Sequence, residues 1–140
     1  MLASVAREPA VSGDLEETFR RIAPGNYIAM QAYLPRFETI GKRLASLRVK
    51  MRDRFVVATT LGIGPRYLHS TGQIHKGGPP SGVFLQFVEE DGGPDIAIPG
   101  RPYSFGRLNR AQADGDFETL KSGGHRVVRT SIEKLEEALR

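Results

Sequence analysis

Three apolar runs constrain this chain more than any other feature of it. "NYIAMQAYL" (Asn26 to Leu34), "FVVATTL" (Phe55 to Leu61) and "GVFLQFVEE" (Gly82 to Glu90) are too apolar along their length for strands with one wet face. Strands of that kind are buried on both sides, as in parallel sheets covered by helices. Between the first two runs Phe37, Ile40, Leu44, Leu47 and Met51 recur at spacings of three and four, the stripe of an amphipathic helix. A last strand is expected in "GGHRVVRTSI", followed by a helix that carries Leu135 and Leu139 and is capped by Thr130 or Ser131. Strands alternating with helices predict a three-layer α/β/α sandwich around a mainly parallel sheet.

Other elements are punctuated by turn and cap signals. "SGDLEETF" opens a helix in which Asp14 caps and Glu17 completes a capping box; Pro24 and Gly25 end it. Asp91 to Pro94 reads as a turn, and "DIAIPG" as a short extended piece. Ser104 is placed to cap a helix carrying Leu108 and Ala111, which Gly115 and Asp116 are expected to interrupt before Phe117 and Leu120 resume it.

With 140 residues, 39% apolar and 26% charged, the chain fits one soluble globular domain. It has no cysteine, which excludes disulfides and thiolate chemistry and suits a reducing compartment. No apolar run approaches the roughly 20 residues that span a membrane. The first residues lack a basic region followed by an apolar core, so a cytoplasmic location is expected. The net charge of +4 invites an anionic partner. The basic residues between Arg36 and Arg54, however, alternate with Glu38 and Asp53 on a helix, as on a solvated face. Nucleic acid is therefore not the expected ligand, because exposed aromatics do not accompany the charge.

The segment "GIGPRYLHSTGQIHKGGPPSG", Gly62 to Gly82, concentrates hydrogen-bonding groups between two strands. It follows a strand directly, and ligands of parallel sheets bind in the loops beyond the carboxyl ends of the strands. Three chemistries compete for it. His69 and His75 could bind a metal, but no carboxylate or cysteine lies within the segment to join them. Ser70 adjoins His69, but the glycine-framed G-x-S-x-G turn of a nucleophile elbow is missing. The third chemistry is recognition of a phosphorylated or polyhydroxylated small molecule. Arg66 and Lys76 supply charge, Ser70, Thr71 and Gln73 supply neutral donors, and Gly72, Gly77 and Gly78 admit close backbone approach. Phosphate-loop and dinucleotide spacings are both absent. The competing explanation is a glycine-rich loop whose polar groups satisfy one another.

The stretch "ATTLGIGPRYLHSTGQIHKGGPPSGVFLQ", Ala58 to Gln86, resembles the C-terminal part of the phosphoglucose isomerase module of bacterial bifunctional transaldolase/glucose-6-phosphate isomerases. "GNYIAMQAYLP", "IPGRPYSFGRLNRAQADGDFETL" and "HRVVR" agree with it, so the likeness runs from about Gly25 to Arg129. The resemblance implies a sugar isomerase (SIS) domain of flavodoxin-like fold over residues 25–140, preceded by a helical extension over 1–24. It implies interconversion of glucose 6-phosphate and fructose 6-phosphate without metal or organic cofactor. A lysine and a glutamine of the family's C-terminal region lie at the sugar phosphate. Lys76 is thereby the catalytic candidate and Gln73 a substrate contact, with Arg66, His69, Ser70 and Thr71 beside them. The isomerisation also needs a general base. In the family that glutamate and the ring-opening histidine lie upstream of the matched region, and no glutamate here falls in a matching motif. The expectation is half an active site, completed by a homo-oligomer or by a second isomerase or transaldolase domain, with a non-catalytic sugar-phosphate sensor as the alternative.

Overall fold

The computed structural model describes residues 13–35, 37–89 and 95–140, without the side chain of Phe37. Helix α1 (Leu15–Arg20) leads to strand β1 (Tyr27–Tyr33), helix α2 (Phe37–Phe55) and strand β2 (Ala58–Ile63). A 3-10 turn (Arg66–His69) and helix α3 (Thr71–Gly77) connect to strand β3 (Gly82–Val88), and helix α4 (Phe105–Ser122), strand β4 (Arg126–Arg129) and helix α5 (Ile132–Ala138) complete the chain. The four strands form one sheet in the order β2-β1-β3-β4, every pair parallel. Helices cover both faces, giving the expected three-layer sandwich. The order 2-1-3-4 is that of flavodoxin-like sheets, whose switch point lies between β1 and β3.

The two faces differ in chemistry because side chains alternate along each strand. Ile28, Met30 and Ala32 of β1, with Val83, Leu85 and Phe87 of β3 and Val128 of β4, pack with Leu44, Leu47 and Met51 of α2 and Ile132 and Leu135 of α5. Phe19 of α1 joins this core, and Asp14 caps α1 through the amides of Glu16 and Glu17. The opposite face carries Tyr33, Gln31, Gln86 and Arg129, all buried, and is covered by α3 and α4.

Several elements fall differently from the sequence expectation. Phe55 closes α2, extending its four-residue stripe, and Val56 then turns the chain with a positive φ of 53°. The strand expected from Phe55 accordingly starts at Ala58. β2 is an edge strand, half-exposed rather than buried on both sides. The segment expected to be a loop from Gly62 to Gly82 contains the 3-10 turn and α3, so the crossover from β2 to β3 is helical. α4 runs unbroken through Gly115 and Asp116: the glycine is on the solvent side, while Asp116 falls on the inward stripe of Ala113, Phe117 and Leu120. Leu108 and Ala111 are exposed instead. Ser131, not Thr130, caps α5 by accepting from the Lys134 amide at 3.2 Å. Asp95 braces the start of α4, accepting from the Gly106 amide at 2.9 Å and from the Ser104 hydroxyl. The turn expected at Asp91–Pro94 lies outside the described residues.

Arg129, with no exposed surface, ties the second face together. Its Nε donates to Gln86 Oε1 at 2.6 Å, its Nη2 meets Asp114 of α4 at 2.7 Å, and its guanidinium lies 4.7 Å from the Phe117 ring centroid. Gln86 in turn donates to the Ala113 carbonyl at 2.9 Å. Without the guanidinium the buried Gln86 Oε1 loses its donor, while Asp114 keeps Arg110, so the loss is on the scale of an unsatisfied buried acceptor, roughly 1–3 kcal/mol. Arg129→Met is expected to lower the unfolding free energy by about 2 kcal/mol, measured by urea titration; a loss near zero would show that the network does not hold the fold.

Candidate functional site

The site lies where the carboxyl ends of β1 and β2 meet α3 and α4. Tyr33 ends β1, and the chain leaving β2 passes so close to its ring that a Cβ at Gly64 would lie 2.6 Å from it. The 3-10 turn then brings Tyr67 over the sheet, where its phenol lies 3.1 Å from that of Tyr33. Both phenols donate to Oδ2 of Asp116, Tyr33 at 3.4 Å and Tyr67 more closely. The other carboxylate oxygen, Oδ1, meets Lys76 Nζ at 3.0 Å. The side chain of Asp116 is 2% exposed and that of Lys76 29%, so solvent reaches the ammonium but not the carboxylate. Burial first, with the Asp116 carboxylate adding to it, pushes both tyrosines well above their ordinary value, so they stay protonated donors.

The sequence candidates all lie on this short stretch but do not all converge. Arg66, His69, Ser70, Thr71 and Gln73 are exposed, whereas Gly72 and His75 form the buried side of α3. Lys76, in the last turn, leans inward to Asp116. Gln73 stands one turn before it on an adjoining strip of the helix. Ser70 stands at the N-cap of α3, yet its hydroxyl donates to the Tyr67 carbonyl at 3.3 Å and caps nothing. Among the described residues Arg66 makes no hydrogen bond or ion pair, so its charge is available to a ligand. No group of three or more His, Cys, Asp or Glu among the described residues could hold a metal ion. His75 in particular is committed elsewhere.

His75 accepts or donates through Nδ1 with the Tyr27 hydroxyl at 3.0 Å and meets the ring of Phe84 edge-on. His125 also meets the Phe84 ring at nearly a right angle, 5.6 Å between centroids, and its Nδ1 is buried without a partner among the described residues. Farther up the sheet, the Gln31 carboxamide is also buried and unpartnered among them. Asp116, Tyr33 and Tyr67 were not among the site residues expected from the sequence. The signal for Asp116 was its position three residues after Ala113 and four before Leu120, a carboxylate on an otherwise apolar stripe.

A separate groove of about 370 Å³ opens between α1, α2 and α5, lined by Glu16, Phe19, Arg20, Arg54, Phe55 and Ala138. It is on the apolar-core side of the sheet, away from the segment described above. No helix among the described residues is long and apolar enough to cross a membrane.

No protein-family model and no curated protein matches the chain. Among solved structures it is similar to a hypothetical protein of Thermus thermophilus, TT0462, with a TM-score of 0.65 and 19% identity over 81% of this chain. The chain spans 31% of the length of that protein. At that identity the likeness shows the fold alone: an α/β/α sandwich shared with a portion of a longer chain.

Burial holds the His75 imidazole below its ordinary pKa of 6.5. The unfolded chain therefore binds a proton there before the folded one does, and stability present above pH 6.5 drains away as pH falls toward the lower folded value. The urea midpoint is expected to drop between pH 7.5 and 5.5, and a His75→Gln protein to show a shallower drop over the same range. Equal slopes in the two proteins would mean that His75 titrates as if unburied.

Proposed function

We propose that this chain is a sugar-phosphate-binding domain of SIS type, derived from glucose-6-phosphate isomerase, that holds glucose 6-phosphate or fructose 6-phosphate against the segment from Arg66 to Lys76. The observation that carries this reading is the placement of that segment: it leaves the carboxyl end of β2, the side on which parallel sheets bind ligands. Arg66, Thr71 and Gln73 are exposed donors there, suited to a phosphate and to hydroxyl groups. The motif resemblance supports the identity of the ligand. The expected setting is the cytoplasm.

Turnover needs a base able to take a proton from C2 or C1 of the open sugar. The carboxylate nearest the segment, Asp116, is engaged by two phenols and an ammonium and closed to solvent. It is a poor candidate for that work. The base would come from a partner, either a second copy of the chain or another isomerase or transaldolase domain. The same observation favours the second reading, a sensor module that binds sugar phosphate without converting it.

Titration calorimetry with fructose 6-phosphate is expected to show binding that Lys76→Ala or Arg66→Ala weakens roughly tenfold, the scale of one lost charge-assisted contact. A coupled isomerase assay on the isolated chain is expected to give negligible rate. Absence of binding at millimolar ligand would defeat the proposal, and rapid turnover would defeat the account of the missing base.

A further inference from the structure

Lys76 is the cation that the ligand reading needs, yet its charge is already spoken for. Its ammonium lies 3.0 Å from Asp116 Oδ1, while Oδ2 of the same carboxylate receives the phenols of Tyr33 and Tyr67. Those two donors come from β1 and from the 3-10 turn, and the carboxylate from α4, so three elements fix its orientation. The lysine is the solvent-facing member of the cluster, at the end of a seven-residue helix, and so the one a ligand can reach. An anion that reaches Lys76 also meets Asp116 at little more than contact range, in a setting where charge is poorly screened. To use the ammonium fully, the ligand has to draw it off the carboxylate. The cost of that exchange is fixed by the pair, whereas the gain grows with the charge of the ligand.

We infer that Asp116 is a positioning residue that restrains Lys76, so that a dianionic ligand such as a phosphate monoester engages the ammonium and a monoanion does not. This rests on the sugar-phosphate reading and sharpens it. Asp116 touches no ligand; it acts by holding the lysine until a doubly charged group competes for it. A phosphate monoester is a dianion above its second pKa of about 6, whereas a sulfate ester of the same sugar stays a monoanion.

The test compares glucose 6-phosphate with glucose 6-sulfate at pH 8 by calorimetry, using the native chain, Asp116→Asn, and the double variant Asp116→Asn with Lys76→Met. In Asp116→Asn the lysine is free, and both esters are expected to bind roughly tenfold tighter, the scale of one unscreened charge contact. In the double variant the sulfate ester is expected to bind as it does to the native chain, and the phosphate ester more weakly than to the native chain. A folded Asp116→Asn protein that binds either ester no tighter overturns the inference. A purely structural aspartate would weaken binding on replacement, so the sign separates the two roles. A ligand-free measurement stands apart from the sugar-phosphate reading and from the folding of the variant. Acylation of lysines in the native chain, followed by mass spectrometry, is expected to modify Lys76 at least roughly tenfold more slowly than the exposed Lys121 and Lys134, in keeping with a persistent charge-assisted pair. Equal rates would mean that Asp116 does not hold the lysine in solution. Slow labelling without binding of any ester would leave the pair intact and discard sugar phosphate as its ligand.

Discussion

A guanidinium cannot be left unpaired in a protein interior, and Arg129 has no exposed surface at all. Much of the second face of this sheet is arranged around that requirement. Gln86 of β3 and Asp114 of α4 supply the acceptors, and Phe117 supplies a ring for the cation to lie against. Asp114 also meets Arg110 at 3.1 Å, one turn earlier on the same helix. Meeting these contacts fixes how far α4 reaches across the sheet and which strip of it faces inward. On the other face no fully buried charge makes such a demand among the described residues; its apolar side chains contribute through burial, worth about 25 cal/mol for each Å² removed from water. The Arg43–Glu136 pair at 2.8 Å ties α2 to α5 at the surface.

Fixing α4 in this way also fixes Asp116, two residues beyond Asp114 and therefore on a different strip of the helix. While Asp114 answers Arg129, Asp116 is carried toward the ends of β1 and β2, where Tyr33, Tyr67 and Lys76 meet it. The proposed ligand segment is thus coupled through one helix to the network that holds β4. Its inner member, Lys76, is oriented by the fold, while Arg66, Thr71 and Gln73 remain open to solvent. A binding edge with one restrained cation and several free donors is the physical content of the functional reading.

The layer architecture was legible because Ile28 to Ala32 and Val83 to Phe87, apart from Gln31 and Gln86, are apolar on both faces, and because Leu44, Leu47 and Met51 keep helical period. The β2 region was not, because Phe55 continues the period of α2 while its neighbours look like a strand; only the tertiary turn at Val56 separates the two. α3 was hidden by its glycines. Gly72 would be costly in an isolated helix, but here a Cβ would come within 3.0 Å of the Tyr67 carbonyl, so the close approach requires it. The candidate segment was visible from composition and from the motif. Its anchor was not, because Asp116 beside Gly115 looks like a helix break until the opposite side of α4 is seen to be solvated. Polar residues on an apolar stripe are the signal that would have found it.

The central claim is that the segment leaving the carboxyl end of β2 is the surface that meets a sugar phosphate. Amide chemical-shift mapping of the native chain with glucose 6-phosphate tests it residue by residue. The account predicts saturable shifts at Arg66, Thr71, Gln73 and Lys76, with the amides of α5 undisturbed. Shifts confined to the groove of Glu16, Arg20 and Arg54, or none at any residue, would contradict it.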